Sequence, residues 1–321
     1  MGIFLAGSIA IGTVLLLGSV GETITEKAGH LNLGIPGIMC MGAAGGCWGI
    51  SLYGNSLSNL AGANWLVLLL LALFFSALFG AIGGAIYGFL TVSLRANQNV
   101  TGLALTTFGT GFSQFFMKQY IGAENDLPAL SKVLNISLPF ADKLGFFGQA
   151  FLSFGIMVYI AIALAIVSAL VLKRTKTGLK LRAVGENPAT ADAVGINVVA
   201  YKYMSILIGG AIAGFGGMLY IVVCRGGNGL LESPADIQAF GWLAIALVIF
   251  TVWKPDVAIL GSILFGILYR MPFTGIQFNQ YILKLLPYVV TIIVLIFTSI
   301  FGSKNVQPPA SLGLNYFRED R

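Results

Sequence analysis

Charge is what this sequence lacks most. Only 9% of its 321 residues are Asp, Glu, Lys or Arg, against about 25% in a soluble domain. In contrast, 57% are hydrophobic and the mean hydropathy is +0.90. So few polar groups cannot cover a globular surface in water, so lipid must cover the rest. Cysteine is scarce and scattered. Cys40, Cys47 and Cys224 form no CxxC pair, which argues against a redox or metal centre and reads as small apolar packing residues. His30 is the one histidine, too little for a relay of proton carriers. No GxxxxGK[ST], HExxH or GxSxG pattern occurs, so the chain carries no recognisable catalytic loop. Acids and bases are nearly absent from the apolar runs, which speaks against coupling to a proton or sodium gradient. The net charge of +6 is read as a membrane-orientation signal and not as nucleic-acid binding.

Long apolar runs are what the chain has in abundance. The expected class is all-α, a polytopic helical bundle of about 8–10 spans forming one domain over residues 1–321. Nine candidates are read: roughly 3–20, 33–53, 65–93, 99–117, 151–172, 201–223, 238–253, 256–271 and 281–302. Met1–Val20 lacks a basic leader and a cleavage site, so it reads as the first span. The short runs 238–253 and 256–271, divided by Lys254-Pro255-Asp256, are open to two readings, two full spans or a broken or re-entrant pair. Gly80, Gly84 and Gly88 repeat at four-residue spacing, as do Gly210 and Gly214. Small residues so spaced let helix backbones approach closely in lipid. LFGAIGGAIYGFL at Leu78–Leu90 echoes ILGSILFGILYRM at Ile259–Met271, a weak sign of related halves. Gln119–Gln149, holding Glu124, Asp126 and Asp142, has room for a short amphipathic piece, and Ser233 is placed to cap a helix starting near Pro234.

One polar segment, 173–197, interrupts the middle of the chain. Lys173, Arg174, Lys176, Lys180 and Arg182 crowd its start. Gly185-Glu186-Asn187-Pro188 makes a turn, and Ala189–Val194 makes a short helix ended by Gly195. Asn187 is the expected cap, Pro188 the first helical residue and Gly195 the left-handed stop. Placing this basic segment in the cytoplasm puts the N-terminus outside and the C-terminus inside. Lys27, Arg95, Lys254, Lys304, Arg318 and Arg321 then fall inside, and Lys118, Lys132, Lys143, Arg225, Arg270 and Lys284 outside.

TGLKLRAVGENPATADAVGIN resembles the coupling segment of bacterial ABC-importer permeases for ribose-like sugars and nucleosides, with matches at Gly178, Leu181, Ala183, Val184, Gly185, Asn187, Gly195, Ile196 and Asn197. Ala189-Thr190-Ala191, where the family often has adjacent alanines, is a small departure. Gly21–Ala43 resembles the signature of the nucleoside branch, at Glu26, Lys27, Gly29, Asn32, Leu33, Gly34, Gly37 and Met39. That branch works with basic-membrane-lipoprotein binding proteins.

The resemblance implies a non-catalytic permease subunit in the bacterial cell membrane. A cytoplasmic ABC ATPase, a second related permease (a heterodimer) and an external substrate-binding lipoprotein are the implied partners. No cofactor is expected on this chain, with ATP and Mg on the ATPase. The coupling residues would be Gly185, Glu186, Asn187, Ala189, Ala191, Asp192, Ala193 and Gly195. The alanines would sit deep in a cleft of the ATPase, and Glu186 and Asp192 would pair with its cations. For the substrate path, uncharged hydrogen-bonding and aromatic residues suit a nucleoside: Asn32, Asn97, Gln98, Asn99, Thr106, Thr107, Phe108, Gln114, Gln238 and Trp242. A purine nucleoside such as guanosine is the expected cargo. The alternatives are a simple sugar such as ribose carried by the same machinery, or an ion-coupled secondary carrier.

Overall fold

The computed structural model describes residues 2–122, 125–137, 141–273, 279–301 and 307–317. Glu124, Lys304, Arg318 and Arg321 lie outside the described residues. The helices in chain order are α1 (Gly2–Glu26), α2 (Ile35–Ser56), α3 (Trp65–Gly88), α4 (Gln98–Tyr120), α5 (Leu127–Leu134), α6 (Gly145–Phe151), α7 (Ile156–Arg174), α8 (Lys176–Glu186), α9 (Pro188–Ala193), α10 (Val198–Leu219), α11 (Ser233–Phe250), α12 (Pro255–Arg270) and α13 (Gln280–Phe301). The described residues contain no strand. All nine expected spans have a helix. Among the described residues seven helices are long and apolar enough to cross a membrane, α3 and α10 each counted with the π-turn that ends it and α12 with the turn to Phe273. Of the other two, α4 is long enough at 23 residues but carries Gln, Asn, Thr and Lys, and α13 has a shorter apolar stretch, Gln280–Val294. The chain is thus a multi-pass membrane protein.

In lipid there is little hydrophobic gain from pressing helices together, so close van der Waals packing must hold them. The two glycine stripes meet for that purpose. A Cβ on Gly214 would lie 2.7 Å from the Ser76 carbonyl oxygen and 2.9 Å from Gly80 Cα, and one on Gly84 2.8 Å from the Ile206 carbonyl oxygen. Backbone of α3 therefore lies directly on backbone of α10. Gly42 of α2 and Gly12 of α1 make similar approaches to Gly214 and to Ser262. The core beside these contacts is apolar, including Leu15, Ile38, Met39, Ile206 and Met218.

The loops sort to two ends. At one end the Ser311 amide donates to the Gly185 carbonyl (3.0 Å), the Gly313 amide to the Gly29 carbonyl (3.2 Å), and the Asn315 side chain to the Arg95 carbonyl (2.7 Å). Lys173 pairs with Asp256 at 2.7 Å there. At the other end Asn135 donates to the Val222 carbonyl (2.6 Å), Arg225 pairs with Asp236 (2.8 Å), and the Arg270 guanidinium reaches the Phe4 carbonyl (3.4 Å). Of the cations, Arg95 and Lys173 thus stand at one end and Arg225 and Arg270 at the other.

The pair α11–α12 comprises two separate helices, each long enough to cross alone, α12 with the turn to Phe273 that follows it. Only Thr251–Lys254 joins them, with Val252 and Trp253 both left-handed (φ 55° and 53°). Such a conformation is costly for β-branched and bulky residues, and the tight reversal needs it. Helix α11 starts at Ser233, but the Ser233 hydroxyl donates back to Gly229 (2.6 Å) and does not cap it. The short amphipathic piece in 119–149 is α5, which buries Leu127, Leu130 and Leu134.

Gly214→Leu should therefore lower stability by roughly 1–3 kcal/mol or more, as overpacking does. Gly111→Leu, where a Cβ meets nothing within 4 Å, should not. Thermal melting of the two variants in detergent reads the difference.

Candidate functional site

The segment 173–197 is a two-helix hook. Thr175 caps α8, its hydroxyl accepting from the Gly178 amide (3.0 Å). Asn187 caps α9, its side chain accepting from the Thr190 amide (2.9 Å), with Pro188 first in the helix. Gly195 ends it at φ 84°. The local sequence rules thus act as expected. Gly185 is enclosed, because a Cβ there would strike the Lys27 carbonyl. Glu186, Asn187, Thr190, Ala193, Val194 and Gly195 are exposed, and Val194 is 72% accessible. Ala189 and Asp192 are half-buried. Ala191 is 2% exposed and packs with Val184 and Val198 of its own chain, so it offers no surface to a partner's cleft. The two acids expected to meet a partner's cations are also engaged within the chain. The Ala310 amide donates to Glu186 (3.3 Å) and the Tyr316 hydroxyl to Asp192 (2.8 Å).

The hook rests on the α1–α2 loop, which is held from every side. The Asn32 amide donates to Glu22 (2.9 Å), Tyr87 donates to the Leu31 carbonyl (2.7 Å), and the Leu31 amide donates to Gln98 (2.9 Å). Thr106 donates to the Leu33 carbonyl (2.7 Å), and the Trp253 indole donates to Glu26. Glu22, Glu26 and Lys202 are buried within helices, and His30 is buried in the loop beside them. The expectation that the apolar runs hold almost no acids or bases is thus corrected. Glu22 and Glu26 lie beyond the apolar run 3–20, but α1 continues through them to Glu26, and their i, i+4 spacing was the available signal. Burial pushes the Lys27 ammonium below its ordinary value, opposed by the nearby Glu186.

The candidate path residues divide in two. Asn32 and Gln98 are buried and bonded to backbone. Asn32 accepts from the Gly34 amide (2.9 Å), and Gln98 also donates to the Leu314 carbonyl (3.4 Å) and to Asn315 (3.3 Å). Asn97 caps α4, accepting from the Val100 amide (3.1 Å). Thr106 is buried in its bond to Leu33. By contrast Asn99, Thr107, Phe108 and Gln114 are exposed. Thr107, Gly111, Gln114 and Lys118 recur at helical spacing as one open stripe of α4. A ladder of aromatic rings runs alongside: Phe108–Phe112 at 6.0 Å, Phe112–Phe116 at 5.4 Å and Phe116–Tyr120 at 4.6 Å between centroids. Gln238 and Trp242 lie half-buried on α11. The Cys40 thiol of α2 lies between α4 and α11, 3.8 Å from Thr110 and 3.3 Å from the Pro234 carbonyl. Among the described residues no group of His, Cys, Asp and Glu is placed to hold a metal.

Gln98→Leu should cost about 1 kcal/mol of stability, because it leaves the half-buried Leu31 amide unpaired. Thr107→Val and Gln114→Leu should leave the melting temperature unchanged. Melting curves of the three variants thus separate framework from open face.

The family described as branched-chain amino acid transport system / permease component matches residues 4–295. Among curated relatives, the nucleoside ABC transporter permease protein NupC of Lactococcus lactis is 30% identical, over 98% of this chain and 97% of its own. A Haloferax volcanii protein provisionally named glucose ABC transporter permease protein TsgC13 is 30% identical, over 98% and 97%. The guanosine ABC transporter permease protein NupQ of Bacillus subtilis is 29% identical, over 100% and 98%. With its helices, its hook and its signature loop matched along almost the whole length, this chain belongs to the ABC-transporter permease components of the branched-chain amino acid transport system type.

Proposed function

We propose that this chain forms half of the translocation path of an ATP-driven importer of nucleosides, a purine nucleoside such as guanosine foremost. The observation that carries this reading is the open face of α4, where Thr107 and Gln114 stand beside the ladder from Phe108 to Tyr120. A nucleoside is a flat ring with polar edges and a hydroxylated sugar, and it needs aromatic area with a few uncharged hydrogen-bonding groups. Two relatives named for nucleoside or guanosine transport support the same cargo. One copy supplies one wall, so a second, related permease closes the path, and an external lipoprotein delivers the cargo. The chain itself holds no cofactor. A cytoplasmic ATPase binds ATP and Mg and docks on Thr190, Ala193 and Val194, the exposed side of α9. That orientation puts the N-terminus outside and the tail inside.

A second reading, a sugar as cargo, is favoured by the relative named for glucose. An ion-coupled carrier would have to use Glu22, Glu26 or Lys202. The two glutamates already accept from Asn32 and Trp253, which suits a structural lock better than a moving proton.

In vesicles holding the whole complex, excess unlabelled guanosine should abolish uptake of labelled guanosine and ribose should not. Competition by ribose alone would move the assignment to a sugar. Gln114→Leu should raise the KM for guanosine about five- to tenfold, the worth of a hydrogen bond of roughly 1 kcal/mol.

Docking has its own test. Val194→Asp should uncouple ATP hydrolysis from uptake without lowering the melting temperature, whereas Ala191→Trp should lower it by overpacking. Normal uptake by the Val194 variant would place docking elsewhere.

A further inference from the structure

Beside the hook, two cavities share a wall. The outer one, 480 Å³, lies between the end of α9 and the start of α10 and is bordered by Asp192, Asn197 and Tyr316. The inner one, 20 Å³, is bordered by His30 and Lys202. Arg95, Val92, Val198, Val199 and Tyr316 line both. The inner space suffices for one water-sized atom. Lys202 is only 2% exposed, and its ammonium makes no hydrogen bond or ion pair among the described residues. His30 is 1% exposed, and neither ring nitrogen has a partner among them.

A buried ammonium without a counter-charge is expensive, as is an imidazole N–H with no acceptor. Both are aimed at one small void, and an arginine stands on the wall leading out of it. Burial and the Lys202 charge keep the His30 imidazole well below its ordinary range, so it is neutral and has one N–H to give. The one acid on the outer cleft, Asp192, is engaged by the Tyr316 hydroxyl. What is missing is an acceptor with negative charge. It must be narrow at its tip and wider behind.

We propose that this double cavity is a binding site for a phosphate-class oxyanion. One oxygen enters the inner void against Lys202 and His30, and the remaining oxygens stay in the outer cleft near Arg95. The group arrives either as free phosphate or phosphate ester from solution, or as the headgroup of an anionic lipid. It would tie the start of α10 to the α1–α2 loop and to the turn before α4, the elements on which the hook rests. The site depends on the buried cations and not on the cargo carried, so it stands apart from the translocation reading.

The test uses the full chain in nanodiscs of phosphatidylcholine, titrated with inorganic phosphate or AMP. Binding is followed by calorimetry and by the melting temperature. Saturable binding is expected, with chloride inert. Lys202→Met and Arg95→Gln should each weaken it roughly tenfold, as loss of one charge-assisted hydrogen bond does. If Lys202→Met does not fold, the exposed Arg95 variant decides alone. A parallel series in phosphatidylglycerol nanodiscs distinguishes the sources. Stabilisation by soluble phosphate in neutral lipid identifies a free ligand. Stabilisation only by phosphatidylglycerol, reduced in the variants, identifies a headgroup. No response to either source, or a response unchanged in the variants, overturns the site.

Discussion

Everything in this molecule depends on how closely backbone can approach backbone without water to drive it. Gly80 and Gly84 of α3 lie on Gly210, Gly214 and Ile206 of α10, and α2 joins them through Gly42. Dispersion falls steeply with distance, so an added side chain here would forfeit many contacts at once. The central packing is therefore made of the smallest residues, and the larger ones, such as Met39 and Met218, fill what remains. This dry centre lets the polar apparatus gather at the ends.

At one end that apparatus is dense. Glu22 of α1 and Trp253 of the turn between α11 and α12, far apart in sequence, both reach the neighbourhood of the α1–α2 loop, the latter through Glu26. The strained pair Val252 and Trp253 is what aims the indole. With a fixed loop beneath the hook, a push on α9 under the proposed docking would be passed to α1, α3 and α4 together and not absorbed locally. The packing of Ala191 against Val184 and Val198 makes the hook part of the body.

Much of this was legible in the sequence. The nine long helices, the caps Asn187 and Pro188, the stop at Gly195 and the facing glycine stripes follow from local rules that lipid does not override. The α-helical class needed nothing more, whereas the family rested on the resemblance of the motifs at 177–197 and Gly21–Ala43. The polar interior was not legible in the same way. Whether Gln98 faces a path or clamps Leu31 depends on where residues 314 and 315 come to lie, and spacing along α4 carries no information about that. Ala191 and Ala193 look alike in sequence, yet one turns inward because Val198, beyond the Gly195 reversal, closes over it. Glu22 and Glu26 were missed because the apolar run ends at residue 20 while the helix goes on to Glu26, and Lys202 because an average over twenty apolar residues dilutes one charge.

The tail, residues 307–317, is stitched to Gly185, Gly29, Arg95 and Gln98. These residues follow all nine long helices in chain order. Synthesis therefore reaches the latch only after these nine long helices have been made. A polypeptide halted before the tail would own those nine helices but lack the bonds that hold Gly185 and Gly29. The cell would then hold an inserted but unfinished protein, and the state of this one short strand would tell a mature subunit from an arrested one.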